Sequence, residues 1–321
     1  MEFSVIVTNF NSDFNKIKMT IDSILIQERI TFEIIVCDDC SGDNHFAELD
    51  AYLEDKNVPY KLLGAEKNTG TVKNVLKGLR VAEGRYAKLI GVGDMLYAPN
   101  TLRSVRNFMD RTEIDYCFGA MQGYRKTMDG YESVSHYSPR DIVAYRNQEE
   151  ERIYHNIMVA EDWISGAAIF AKTDFYLKYI SMLENEIIYC EDSLTALAMV
   201  DHNVPLYINR YLILYEVGEG ISTSSNEEFR KKVKADNDKF WELFDDYCGY
   251  RKATEFFKYI KLRRRKKRFE HLKNQKIKMG YKAIVAPELL LFEANARMQI
   301  KKGYHIPPVK PQKNMIELIV K

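Results

Sequence analysis

Residues 33–43 read EIIVCDDCSGD, and this stretch decides the fold class. Glu33 to Cys37 is a short apolar run rich in branched side chains, without the alternation of a half-exposed strand, so it reads as a strand buried on both faces. It stops at Asp38-Asp39, followed by Ser and Gly, residues that favour turns. Working outward, Phe3 to Thr8 repeats the pattern and is broken by Asn9, Asn11, Ser12 and Asp13. Between the two runs, Ile17, Ile21, Ile24 and Leu25 fall at helical spacing. Downstream, residues 43–53 read as helix and 60–63 as strand. Residues 71–82 read as a helix capped by Thr69 or Thr71 and stopped at Gly84. Residues 86–90 read as a strand running into Gly91-Val92-Gly93-Asp94, Pro99 opens another helix, and 114–118 is one more strand. This alternation predicts an α/β fold, a mostly parallel twisted sheet with helices on both faces. Residues 121–160 lack a clear period and read as a long excursion with helix around 139–159. An apolar run at 164–171, a helix at 191–200 opening on two acids, and short strands at 206–208 and 211–215 follow. A Gly- and Ser-rich loop at 218–225 leads into a helical, basic C-terminal region.

The composition fits a globular enzyme: 46% of the 321 residues are hydrophobic and 12% aromatic, which argues against disorder. Cysteines stand at 37, 40, 117, 190 and 248. The odd number in a long chain predicts free thiols in a reducing cytoplasm, and the C-x-x-C at 37–40 has no second pair to complete a zinc knuckle. Neither a leader nor a spanning apolar segment is recognisable. The expectation is a cytoplasmic protein, soluble or held at the inner face of the membrane. The net charge of +1 hides an asymmetry: residues 251–282 hold 14 Lys or Arg against Glu255 and Glu270, residues 283–321 hold six basic and three acidic side chains, and the remainder carries −14. The chain therefore divides into an acidic catalytic domain, 1–225, and a mainly helical basic region, 226–321.

In an open parallel sheet, ligands bind outside the carboxyl ends of the strands. Asp38-Asp39 and Asp94 sit at such ends. Acids at a phosphate site make physical sense when Mg²⁺ or Mn²⁺ bridges them to the anion. Two other readings compete. A nucleotidyltransferase would place a Gly-rich, Arg- and Lys-bearing loop after the first strand, where this chain has TNFNSD (8–13). A non-enzymatic binder of anionic surfaces or nucleic acid would use KLRRRKKR (261–268), but the acidic body argues against nucleic acid as a partner.

The motifs SVIVTNFNS (4–12), SILIQ (23–27), EIIVCDDCSGD (33–43), KNTGTVKN (67–74), AEGRYAKLIGVGDMLYAPNTL (82–102), ISGAAIF (164–170), ED (191–192) and YEVGEGIST (215–223) appear in the order and spacing of one family. Together they resemble family 2 glycosyltransferases of the GT-A fold. The resemblance implies an inverting transfer of sugar from a nucleotide-sugar, UDP-linked, to a hydroxyl of a glycan or lipid-linked acceptor. It implies nucleotide contacts at Thr8, Phe10, Asn11, Asp38, Asp39, Asn68, Gly70, Asn74 and Gly93, with Phe10 stacking on the base. Asp94 takes the place of the metal ligand and Asp192 that of the catalytic base, and Trp163, Ser165, Gly166 and Glu191 fall in the acceptor or sugar pocket. One departure stands out: Gly93 occupies a position where the family usually has a second acid. The basic C-terminal region, with Phe256, Phe257, Tyr259, Ile260, Leu262, Phe269 and Leu272 interleaved, is expected to meet an anionic membrane surface. Its alternative is a helical appendage packed on the catalytic domain or on a second subunit, as in a homo-oligomer.

Overall fold

The computed structural model describes residues 1–128, 130–218, 227–270 and 275–307. Its strands are β1 (Phe3–Asn9), β2 (Phe32–Asp38), β3 (Tyr60–Leu63), β4 (Tyr86–Gly91), β5 (Met95–Leu96), β6 (Tyr116–Thr127), β7 (Gly130–Val134), β8 (Ile169–Lys172) and β9 (Leu206–Glu216). They form one sheet in the order β3-β2-β1-β4-β8-β6-β9-β5, with β7 paired to β6. β3, β2, β1 and β4 are parallel. β8 joins β4 and β6 antiparallel, whereas β6 and β9 run parallel. Every residue of β2 and six of the seven in β1 are buried, as the unbroken apolar runs predicted.

The helices are α1 (Phe14–Leu25), α2 (Phe46–Glu54), α3 (Thr71–Leu79), α4 (Thr101–Thr112), α5 (Ile142–Arg146), α6 (Glu150–His155), α7 (Thr173–Leu183), α8 (Leu194–Val200), α9 (Glu227–Tyr250), α10 (Phe257–Glu270), α11 (Gln275–Val285) and α12 (Pro287–Lys301). α1 starts where Asp13 accepts from the Lys16 backbone N–H at 3.0 Å, a side-chain cap. α3 lacks such a cap: its capping position is Gly70, and Thr69 turns instead to Asp39.

Three local expectations are corrected. The irregular stretch expected from 121 is in its first part a hairpin, because β6 continues to Thr127 and pairs with β7. Tyr and charged residues on a half-exposed ribbon gave no clear period. The helix expected around 139–159 is two short helices, α5 and α6, followed by a wide turn of helix at Asn156–Ala160. The two strands expected at 206–208 and 211–215 are one strand, β9, whose register against β6 slips between Gly119 and Met121. The Gly- and Ser-rich loop lies outside the described residues from 219 on, as does Leu272.

The division at 225/226 does not separate two cores. Phe240, Trp241, Phe244 and Cys248 of α9 are buried in the same apolar cluster as β1 and β2. Much of the basic charge on α10 is paired, partly with the acidic domain and partly with α9. On α10, Lys258 pairs with Glu151 at 2.6 Å, Arg264 with Asp245 at 2.8 Å, Lys266 with Glu161 at 2.9 Å and Lys267 with Asp238 at 3.0 Å. Arg263 is buried, ion-paired to Asp245 and stacked 4.0 Å over the Trp241 ring. Phe256, Tyr259 and Ile260, expected at a lipid interface, are core residues. These three side chains pack inward, as in the alternative of a helical appendage, whereas Phe257 at the start of α10 is exposed. No described helix is long and apolar enough to cross a membrane.

Candidate active site

The carboxyl ends of β1, β2 and β4 open into a cavity of about 1250 Å³. β1 lies between β2 and β4, so helices leave its two sides in opposite directions and a crevice forms above it. Thr8 at the end of β1 and Phe10 and Asn11 just after it line this cavity, Asp39 follows β2, and Asn68, Gly70 and Asn74 reach it from the start of α3. Phe10 is 52% exposed. A large aromatic ring left in solvent at a cavity mouth is a ready stacking surface. Asn74 donates to the Cys37 carbonyl at 2.9 Å, but its buried Oδ1 has no hydrogen-bond partner among the described residues. An unmet buried acceptor facing a cavity calls for an N–H or O–H from a ligand.

Asp39 and Asp38 divide differently from the sequence reading. Asp39 lines the cavity, yet its oxygens also accept from Thr69 N and Gly70 N, both at 2.8 Å, and from Thr69 Oγ1 at 2.9 Å. It therefore fixes the loop that carries Asn68 and Gly70. Gly70 has φ +83°, and a Cβ there would stand 2.2 Å from the Ile188 side chain, so only glycine fits. Asp38 is buried behind the wall, with Asn9 at 2.7 Å and the Ser41 hydroxyl and backbone N–H at 2.5 and 2.8 Å. Its carboxylate is engaged by the turn that closes β2, and Asp38 is not among the residues lining the cavity. Gly93 is also beneath the wall: its N–H donates to Thr20 at 2.9 Å and its carbonyl accepts from Tyr124.

Asp94 lines the cavity next to β9 and accepts from the Glu216 backbone N–H at 2.9 Å. Burial pushes its carboxyl up to about 7, opposed by that hydrogen bond. A carboxyl so costly to ionise is one that a divalent cation would stabilise, and oxygen is the ligand Mg²⁺ and Mn²⁺ take. The donor type therefore fits a metal at Asp94. A separate trio, Asp43, His45 and Glu48, brings ligand atoms within 4.8 Å of one another. It lies outside the cavity wall.

Across the cavity stand Trp163, Ser165, Gly166, Glu191 and Asp192. A Cβ on Gly166 would lie 2.7 Å from Glu191 Oε1, so glycine lets the acidic pair approach this turn. Desolvation raises both carboxyls; Glu191 is raised further by the charge of Asp192. Asp192 is opposed by backbone N–H groups at Gly166, Asp192 and Ser193 that favour its charged form. Of the two, Asp192 has its charged form better supported by backbone donors. Trp163 lines the cavity and packs 5.3 Å from Trp241.

Sequence reasoning missed four residues here. Lys88 is fully buried in β4 and donates to the carbonyls of Ala167 and Ile169 at 2.5 and 3.2 Å. Burial pulls its ammonium down to about 7, opposed by Asp94 and Glu191 among others. A lysine inside the run YAKLIG was a visible signal. Lys16 and Glu216 meet at the cavity wall at 2.7 Å. Asp236 of α9 accepts from the backbone N–H groups of Ile188, Tyr189 and Cys190 at 2.8, 2.8 and 3.1 Å. It anchors the segment leading into Glu191-Asp192, and nothing local in the sequence announces that partnership. Each amide left without a partner costs about 1–3 kcal/mol when buried, less where water reaches it. Asp236→Ala is therefore expected to lose roughly 2 kcal/mol and a few degrees of Tm in a scanning fluorimetry melt, and to slow turnover more than it weakens nucleotide binding. An unchanged melt and rate would remove the anchor.

The sequence profile of glycosyl transferase family 2 matches residues 4–170. Among curated proteins, the poly(ribitol-phosphate) β-N-acetylglucosaminyltransferases TarS of Staphylococcus aureus strains Mu50 and MW2 are each 30% identical over 128 residues, 38% of this chain and 21% of theirs. The match thus spans about a fifth of those relatives. Among solved structures, S. aureus TarS 1–349 superposes with a TM-score of 0.52 at 19% identity, covering 96% of this chain and 93% of that one. TarS 1–349 in complex with UDP-GlcNAc gives 0.51 at 20% identity, covering 74% and 66%. At these identities the superpositions establish the shared α/β fold.

Proposed function

The chain belongs to glycosyl transferase family 2, and from that premise we propose that it transfers a sugar from UDP to a hydroxyl of a glycan acceptor with inversion at the anomeric carbon. The observation that supports this most is the single cavity, which brings Phe10, Asn74, Asp94 and Asp192 together at the strand ends. The uracil would stack on Phe10, with the Asn74 carbonyl oxygen as acceptor for a donor N–H or O–H. UDP-GlcNAc, held by the TarS structure of like fold, is the first donor to try.

Asp192 takes the proton of the acceptor hydroxyl as the oxygen attacks, a task for an ionised carboxylate near the reacting group. Glu191, kept protonated longer by the neighbouring charge, can donate a hydrogen bond within the sugar pocket. Asp94 would hold Mg²⁺ or Mn²⁺, which when bound stabilises the negative charge on the departing diphosphate. On the acceptor side, α9 adds Phe229, Arg230 and Lys234 to the wall.

The base-stacking role has its own test. Phe10→Ala is expected to weaken UDP binding by about 1–3 kcal/mol, the usual contribution of an aromatic stack, with no loss of thermal stability because the ring is half in solvent. Equilibrium dialysis with labelled UDP would measure this. Equal affinity in the variant would move the base elsewhere.

A further inference from the structure

We propose that Glu216 supplies the carboxylate that Gly93 lacks, as a second acidic ligand beside Asp94 for the divalent cation. This rests on the nucleotide-sugar reading of the same cavity and adds a residue to it.

The inference starts from Gly93. Its φ is +104°, and a Cβ built there would stand 2.2 Å from Glu216 Oε2 and 3.1 Å from Glu216 Cδ. The volume in which a side chain at 93 would begin is thus filled by a carboxylate from another strand. Glu216 ends β9, the strand that also pairs with β5 just after Asp94. Its backbone N–H donates to Asp94 Oδ1 at 2.9 Å, so one residue both fixes Asp94 and brings a second carboxylate to its side. Glu216 and Asp94 both line the cavity.

Lys16 completes the arrangement. Its ammonium lies 2.7 Å from Glu216 Oε2, and the two side chains are only 20% and 13% exposed. A mostly buried carboxylate needs a counter-charge, and Lys16 provides it. Lys16 enters from the first turn of α1, facing the same cavity. A divalent ion bound between Asp94 and Glu216 would take over the neutralisation, leaving Lys16 to turn toward the phosphates. The glycine is then explained as well: an acid at 93 would collide with Glu216 and adopt a backbone conformation that L-residues rarely take.

The test is direct Mn²⁺ binding in the presence of saturating UDP, read from the free-ion electron paramagnetic resonance signal. Glu216→Gln keeps the size of the side chain and the backbone N–H. It is expected to weaken Mn²⁺ binding about tenfold or more, since even residues that only support metal ligands are worth that much. Lys16→Met removes the competing cation and is expected to leave Mn²⁺ binding equal or tighter. Opposite effects of the two variants support the proposal. Equal weakening in both, or full Mn²⁺ affinity in Glu216→Gln, overturns it and leaves Glu216 as the partner of Lys16 alone. Asp94→Asn separates the two levels. If it loses Mn²⁺ while Glu216→Gln does not, only this inference fails; if neither variant affects Mn²⁺, the placement of the metal at Asp94 fails.

Discussion

Asp192→Asn is expected to lose transfer by about 10²–10⁴-fold, the range a positioned general base contributes, while UDP binds as tightly as before. The carboxamide keeps the shape and the backbone donors around the side chain but cannot take a proton. An interaction made mainly in the transition state lowers the rate without weakening ground-state binding. The pH profile adds a second signature. A free aspartate titrates near pH ~3.9, but desolvation raises the Asp192 carboxyl above that value. The base acts only when deprotonated, so activity falls as pH drops through the raised value. The acid limb of the rate profile therefore lies above the ordinary carboxylate range. Turnover assays across pH for the parent, Asp192→Asn and Glu191→Gln check this. Normal transfer by Asp192→Asn with loss in Glu191→Gln would move the base by one residue.

The second large effect is at Asp94. Asp94→Asn is expected to slow transfer about 100-fold or more, the rate equivalent of roughly 3 kcal/mol of lost charge stabilisation on the leaving diphosphate. Chelation with EDTA should reproduce that loss in the parent, and added Mn²⁺ or Mg²⁺ should restore the parent fully and the variant only in part. Full activity in EDTA would mean that the cavity neutralises the diphosphate with its own cations, Lys16 foremost, and that Gly93 marks loss of the metal.

The two candidate acids were picked out by different signals. Asp94 follows a buried strand and sits where a parallel sheet binds its ligands, so patterning and topology alone pointed to it. Asp192 does not follow a strand. It opens a short turn of 3₁₀ helix before α8, and only its place among the motifs distinguished it from an acid at a helix start. Asp38 shows the limit of such reading. It is adjacent to Asp39 and equally acidic, yet alternation of side chains along the chain sends it behind the wall toward Asn9 and Ser41.

What stayed hidden depends on contacts between distant segments. Glu216 lies 123 positions from Gly93 in the chain, and their relation exists only because β9 pairs with β5, which begins two residues after Gly93. Asp236 was counted with the C-terminal region, but its carboxylate organises the segment ahead of Asp192. The basic run at 261–268 was conspicuous as charge and silent about its partners. Charge can be read from composition, but a matching set of acids at Glu151, Glu161, Asp238 and Asp245 can be read only from the fold.

The cavity is expected to bind UDP as part of a nucleotide-sugar donor. Titration calorimetry of UDP into the intact chain with Mg²⁺, beside ADP and GDP under the same conditions, tests it most directly. One UDP site per chain is expected, with UDP bound more tightly than either purine nucleotide. No heat of binding with UDP, or the same affinity for all three nucleotides, would contradict it.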